Sequence, residues 1–202
     1  MLAQSSKDAE EHAHEHERAL CEQLRALDSD AWARLFDEHR DKIWRYALAR
    51  TGNRDEAGDI TSQVFVEALE SIHRFHYRGR PVLAWLYRLA RNHTGKLARQ
   101  AKRRASLAVS EAAEATIDDT IETLVLTEAL ASLTPDQADV IALRFFAGYS
   151  TREIADALGK SESGVYSLEV RAIGALRRRL RVQPKKSSRQ ADKIWATLGI
   201  DG

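Results

Sequence analysis

The sequence predicts an all-α protein of two small helical domains joined by a flexible acidic linker, and three observations lead there. Only three prolines (Pro81, Pro135 and Pro184) interrupt 202 residues, which leaves long stretches free of helix breakers. Apolar residues recur at three- and four-residue spacing in both halves, the period of an amphipathic helix. Charge is segregated, although the formal net charge is only +1. Residues 1–28 hold seven acids against three bases, and 29–104 hold sixteen bases against nine acids. Residues 105–131 carry six acids and no base, and 132–202 carry twelve bases against eight acids. The chain thus divides into an acidic arm (1–28), a basic block (29–104), an acidic linker (105–127), a second basic block (128–182) and an extension (183–202).

In the first block, Trp32, Leu35, Phe36, His39, Ile43 and Ala47 mark one helix, stopped at Gly52. A second helix, from about Asp55 to Phe75, aligns Ala57, Ile60, Val64, Ala68 and Ile72. Gly79 and Pro81 then break the period in the loop HYRGRP. A third helix, from about Val82 to Arg104, repeats the stripe with Trp85, Leu86, Leu89, Ala90, His93 and Leu97. The linker core SLAVSEAAEATIDDT has no aromatic residue and too little apolar surface to fold alone.

The second block opens on Thr134-Pro135-Asp136, a cap followed by proline at the first helical position. Ala138, Ile141, Ala142 and Phe145 form its stripe, ended by Gly148. Next come a short helix, a tight turn at Gly159-Lys160-Ser161 and a longer helix. Ile154, Ala155 and Leu158 on the first, with Val165, Ala172 and Leu176 on the second, supply the apolar joint of a helix-turn-helix. The same spacing also fits an ordinary helical hairpin.

Composition excludes several functions. A single cysteine, Cys21, rules out a disulfide framework and a Cys-rich zinc ribbon. No run reaches the ~18 apolar residues of a membrane span, and the amino terminus is acidic where a signal peptide is basic. A soluble, cytoplasmic protein is expected, without membrane insertion. There is no glycine-rich phosphate loop, HExxH, GxSxG or neighbouring Cys–His pair, so no catalytic residue and no cofactor is assigned. His12, His14 and His16 invite a metal reading, but on a helix His14 points away from the other two. A frayed, exposed acidic helix is the simpler account, and no metal site is assigned.

Two clusters point to nucleic acid. His73, Arg74, Phe75, His76, Tyr77, Arg78 and Arg80 lie in and around the loop, followed on a helix by Trp85, Tyr87, Arg88, Arg91 and Asn92. Rings that stack on unpaired bases, beside cations that hold phosphates, are what single-strand capture requires. Packing is the competing account, and Trp85 sits on the apolar stripe. The run Arg177, Arg178, Arg179 and Arg181 fits phosphate contact and macrodipole compensation equally well.

Over residues 30–182 the chain resembles the sigma factors of bacterial RNA polymerase, specifically the small two-domain extracytoplasmic-function (ECF) group. The stretches LFDEHRDKIWRYALARTGNRDEAGDITSQVFVEAL, AWLYRLARN and LTPDQADVIALRFFAGYSTREIADALGKSESGVYSL carry the resemblance in order around an acidic linker. It implies that 29–104 is sigma region 2 and 128–182 is region 4. Core polymerase would be bound by Asp55, Glu56, Asp59 and Gln63. The minus-ten element would be opened and held by Phe75, Tyr77, Arg78, Arg80, Trp85, Tyr87, Arg88 and Asn92, with a flipped base in a pocket. Region 4 would read the minus-thirty-five element with Ser163, Tyr166, Ser167, Val170 and Arg171, with Arg144 and Arg177 on phosphates. The resemblance further implies that the acidic linker mimics nucleic acid in the polymerase cleft, and that an anti-sigma protein controls the chain.

The sequence departs from the family pattern at several positions, the loop HYRGRP being about one residue longer than usual among them. Gly58 stands in EAGDI where an acid is common, and the recognition helix reads VYSLEVRA where VKSRLHRA is typical. Tyr166 and Leu168 thus replace cations, and Leu168 is positioned to take over a core place. With a flexible linker the two domains are expected to share no core, so that their spacing stays undefined until polymerase sets it. The acidic arm and the tail, with Ile194, Trp195 and Leu198 at helical spacing, are candidates for regulation. A stand-alone helix-turn-helix regulator explains 134–181 but gives the 73–92 cluster and the linker no task. A helical adaptor for acidic proteins would need no DNA at all.

Overall fold

A computed structural model describes residues 2–107 and 129–182, and every structured element among them is helical. The long connector and the tail bearing Ile194, Trp195 and Leu198 lie outside the described residues. Helix α1 spans Leu2–Arg25, α2 Ser29–Thr51, α3 Arg54–Ser71 and α4 Val82–Leu107. In the second half α5 (Pro135–Ile141) continues into a π-helical turn (Ala142–Phe146), followed by α6 (Thr151–Leu158) and α7 (Glu162–Val182).

Local chemistry sets most of these boundaries. Asp28 accepts from the Ala31 amide to start α2, and Gly52 ends it at φ 69°, a left-handed conformation that costs glycine least. The Asn53 side chain accepts from both Asp55 and Glu56 amides at the start of α3. That helix ends at Ser71, four residues before the predicted Phe75, in a 3-10 turn at Ile72–Arg74 that lowers the chain into the basic loop. Thr134 with Gln137, and Ser150 with Glu153, form reciprocal capping boxes on α5 and α6. Gly159 closes α6 at φ 66° and opens the turn of the helix-turn-helix.

The acidic arm is more than a frayed helix. Cys21 and Leu24 on α1 are buried in the core, and the Trp32 indole donates to the Leu24 carbonyl at 3.1 Å. Burial, and next the Glu17 carboxylate, push the Cys21 thiol up to about 11, which leaves it a protonated packing group at neutral pH.

The expectation of two domains without a shared core is overturned. Buried residues from both halves form one continuous apolar cluster, from Leu24 and Ile43 through Leu86 to Val140, Ile154 and Leu176. The joint has a polar centre. Asp139 on α5, with a side chain only 2% exposed, accepts a hydrogen bond from the Tyr46 hydroxyl on α2 at 2.8 Å. Arg50 Nε lies 3.2 Å from the same oxygen as an ion pair, and Arg91 Nε of α4 lies 2.7 Å from the other. Arg91 and Lys160 also flank Asp136, at 2.5 and 2.8 Å. Tyr87 stands edge-on to Tyr46 on one side and to Tyr149 on the other, with centroids 5.7 and 4.8 Å apart. The linker's composition carried no information about this surface, because the joint is built by helix faces far from it in sequence.

Removing the Asp139 carboxylate would leave Arg50 and Arg91, both on the first domain, without the acid of the second domain that pairs them across the joint. Asp139→Ala is therefore expected to weaken domain docking by about 3 kcal/mol, the lower end for breaking a buried ion pair, since Arg91 keeps partial solvent access. Calorimetry should show the single wild-type unfolding transition separating into two. One undivided transition at the wild-type temperature would refute the clamp.

Candidate nucleic-acid interface

Helix α3 holds its acids outward because its apolar stripe faces α2 and α4. Ala57, Ile60, Val64 and Ala68 are buried, whereas Asp55, Asp59 and Gln63 are exposed and Glu56 is half-buried. Asp55 and Glu56 also sit in the first turn, where carboxylates complement the helix dipole. Val66 and Leu69, 56% and 48% exposed, extend this face with apolar surface. Sequence reasoning missed both, although an apolar residue lying off the buried stripe is a readable signal. A Cβ at Gly58 meets nothing within 4 Å, so the glycine serves no close approach.

The loop after the 3-10 turn makes the second surface. Gly79, at φ 75°, turns the chain back so that Pro81 and Val82 can start α4. Phe75 stacks on Trp85 with centroids 4.7 Å apart and planes at 26°. Trp85 is buried, so it forms the floor of the site and Phe75 the half-buried ring above it. Around them opens a cleft of about 590 Å³ lined by Arg74, His76, Arg78, Arg80 and Arg88 among others, a volume suited to a small planar group. Its far wall comes from the second half of the chain, through Asp156 and Ala157 of α6. Tyr77 and exposed Asn92 belong to the same region but do not line this cleft.

Tyr87 is placed differently from the other predicted minus-ten residues. It is buried in the domain joint, and burial pushes its hydroxyl strongly up, so it has no access to this cleft while the domains are docked. The aromatic count of the 73–92 cluster had grouped it with the loop, but position 87 falls on the inner side of α4.

Helix α1 holds the loop from its other side. Glu17 accepts a hydrogen bond from the Val82 amide at 3.0 Å, supplying a cap to α4 from 65 positions away. The His14 ring is hydrogen-bonded to the Tyr77 hydroxyl. His14, His16, Glu17 and Tyr77, with Glu38 and His39 of α2 and Glu153 of α6, line a second cleft of about 560 Å³. Among the described residues no group of three or more His, Cys, Asp or Glu is arranged to hold a metal ion. Buried His39 leaves its Nδ1 without a partner, and burial lowers its pKa below the ordinary imidazole value. Glu38 and Glu153 oppose that shift and Lys42 adds to it.

The third surface is the helix-turn-helix. Ile154 and Ala155 of α6 bury against Val165, Ala172 and Leu176 of α7. Leu168 packs half-buried against the same core, as its position in the altered motif implied. The opposite side of α7 presents Ser163, Tyr166, Ser167, Val170, Arg171 and Arg177, all exposed. Arg144 is also exposed, with one guanidinium nitrogen donating to the Tyr149 carbonyl at 3.1 Å, so part of its capacity shapes the loop ahead of α6.

Comparison with known proteins decides the family. The Sigma-70 region 2 model matches residues 35–104 and the Sigma-70 region 4 model matches residues 129–178. The chain is a member of the sigma-70 family. Within it, the chain is 34% identical over 170 residues to the ECF RNA polymerase sigma factor BldN of Streptomyces coelicolor. That match covers 80% of this chain and 64% of BldN, so it spans less than two thirds of that relative. The ECF RNA polymerase sigma factor SigL of Mycobacterium tuberculosis is 32% identical over 150 residues, covering 71% of this chain and 85% of SigL. Two solved structures share the fold of this sigma-family chain. CnrH in complex with the cytosolic domain of CnrY has a TM-score of 0.63 at 24% identity, covering 83% of this chain and 98% of that one. RpoE in complex with the anti-sigma factor NepR from Bartonella quintana has a TM-score of 0.54 at 21% identity, with 75% and 97% covered. The region 2 match begins at Leu35, so α1 and the contacts of Glu17 and His14 with the loop lie outside it. No helix among the described residues is long and apolar enough to cross a membrane.

The lowered His39 pKa has a definite sign. Its neutral form is favoured in the folded state, so its contribution is full above about pH 6.5 and is lost progressively as pH falls toward the depressed native value. Urea melts of the wild type should therefore lose stability between pH 7.5 and 5.5 more steeply than those of His39→Gln. Parallel pH slopes in the two proteins would contradict this.

Proposed function

We propose that this chain recruits bacterial core RNA polymerase to promoters and directs initiation there, while the polymerase performs the nucleotidyl transfer. The observation that carries the reading is the basic, ring-floored cleft beside a helix-turn-helix, in a chain with both sigma regions in order. The outer face of α3, with Asp55, Glu56, Asp59 and Gln63, docks on the polymerase, and Val66 extends it with apolar contact. The cleft over Trp85 receives a base flipped from the minus-ten element, with Phe75 available to stack and Arg78, Arg80 and Arg88 holding the strand. Helix α7 enters the major groove of the minus-thirty-five element, with Arg144 and Arg177 on phosphates.

In this reading the docked arrangement is a resting state. Asp156 and Ala157 stand on the wall of the cleft, and a carboxylate there repels an incoming phosphate. Promoter opening then requires α6 to leave the cleft, which separates Asp139 from Tyr46, Arg50 and Arg91. An anti-sigma protein would hold the chain by spanning both domains and keeping them together. CnrH and the Bartonella RpoE are both seen in complex with a protein partner. The cytoplasm follows as the location of such a chain.

The test is transcription from a promoter library by bacterial core polymerase, with and without the chain. Specific starts should appear only when it is added. Asp55→Lys combined with Asp59→Lys should reduce polymerase association by about tenfold, the scale of reversing charges at an interface rim. Absence of starts and of co-elution with core polymerase, together with a symmetric footprint on duplex DNA alone, would assign the chain to stand-alone regulation.

A further inference from the structure

The solvent side of α7 is unusual for a helix meant to enter a groove. Two of its largest outward residues are apolar, with Tyr166 66% and Val170 51% exposed. They lie one turn apart on the side opposite buried Val165, Ala172 and Leu176, which places their Cβ atoms about 5–6 Å from each other. Neighbouring polar groups are exposed as well but are engaged in hydrogen bonds within the chain. The Ser167 hydroxyl donates to the Ser163 carbonyl at 2.9 Å, the Ser163 hydroxyl pairs with that of Ser161 at 3.1 Å, and Arg171 Nε donates to the Ser167 carbonyl at 3.0 Å. From Glu162 to Gly174 the helix contains no Asn, Gln or Lys. The side chains that make forked hydrogen bonds to adenine or guanine edges are therefore reduced to one arginine, already bonded within its own helix.

What the major groove offers to an apolar side chain is the 5-methyl group of thymine. Resting on the promoter-reading function proposed above, we infer that Tyr166 and Val170 are the specificity-determining residues of α7 and select thymine methyls in the minus-thirty-five element. Their separation spans one to two base-pair steps of about 3.4 Å per strand, so the methyls they touch belong to adjacent or next-but-one pairs. A protein partner on this face is the competing occupant. DNA is favoured because Arg171, Arg177 and Arg178 are exposed on the same helix and bring positive charge to flank the apolar pair.

The experiment uses holoenzyme assembled from bacterial core polymerase and the full chain, on promoters it selects from a random library. In each selected minus-thirty-five element the thymines are replaced one at a time by deoxyuridine, which lacks only the 5-methyl group. Binding should fall about fourfold at each contacted methyl, the factor for burying one methylene-sized group. Tyr166→Ala with Val170→Ala should bind thymine DNA as weakly as deoxyuridine DNA and no longer distinguish the two. Tyr166→Phe should keep the distinction. Both residues are exposed, so folding is preserved, and unchanged melting temperatures check this. Protection of the element with equal affinity for the two bases overturns the methyl contact and leaves promoter reading intact. A deoxyuridine effect that persists in the double alanine variant assigns the methyl contact elsewhere and also overturns it. No protection of a minus-thirty-five element in any promoter removes promoter reading and this inference together. Normal promoter binding by the double variant, coupled with lost hold by an inhibitor protein, gives the face to a protein partner and overturns the inference.

Discussion

A carboxylate taken out of water is costly unless it is paired and hydrogen-bonded, and Asp139 is met from three directions. Burial pushes its pKa up, while Arg50, the Tyr46 hydroxyl and Arg91 pull the other way. The three partners come from two helices of the first domain, so they are satisfied together only when α5 lies in one orientation across α2 and α4. Apolar packing alone tolerates sliding of helix on helix. A buried acid with one hydroxyl and two guanidiniums does not, because each displacement uncovers a charge. Asp136 reinforces the arrangement from the edge of the joint. Lys160 first, and then Arg91, hold its carboxyl below the usual range, so that contribution is full at neutral pH and is lost as pH falls through the lowered value.

The rest of the joint follows from that orientation. With α5 fixed, the π-helical turn after Ile141 brings Tyr149 against Tyr87, and Lys42 comes to lie 5.1 Å over the Tyr149 ring. Helix α6 is then carried onto the basic loop, where Asp156 faces a cleft rich in arginine and Gly159 lies beside the Arg80 guanidinium. A Cβ at Gly159 would stand 3.3 Å from that guanidinium, and its φ of 66° already disfavours other residues. The loop itself is braced from the opposite side by Glu17 and His14 of α1. The basic loop is thereby held between an acidic helix of the arm and an acidic residue of the second domain.

Much of this was legible in the sequence, and the unread parts share a cause. Helix spacing, the Thr134-Pro135 start, the Gly52 and Gly159 stops and the helix-turn-helix joint are local, written within a few residues of where they act. Leu168 was read correctly because a three-residue step from Val165 is also local. Asp139 was invisible as a clamp, because an acid in the first two turns of a helix is ordinary and its partners lie 48 to 93 positions away. The burial of Tyr87 was invisible for the same reason. A tyrosine among arginines reads as a nucleic-acid contact until its neighbours, Tyr46 and Tyr149, are known. The arm was read as frayed because its charge hid the two residues, Cys21 and Leu24, that anchor it.

Under the proposed function, the docked state treats the two surfaces assigned to DNA unequally. The outward side of α7 is exposed with the domains together, since its buried side packs on α5 and α6. The cleft over Trp85 is walled by α6, and Tyr87 is buried within the joint. In that reading duplex recognition requires no change in the chain, whereas capture of a flipped base requires the Asp139 cluster to open. Separating that cluster exposes a carboxylate and two guanidiniums to water, which solvates them and offsets much of the lost pairing. Opening is therefore reversible on the scale of a binding event. Polymerase contacts along α3, which lies clear of the joint, can supply the difference without competing for the residues that close it.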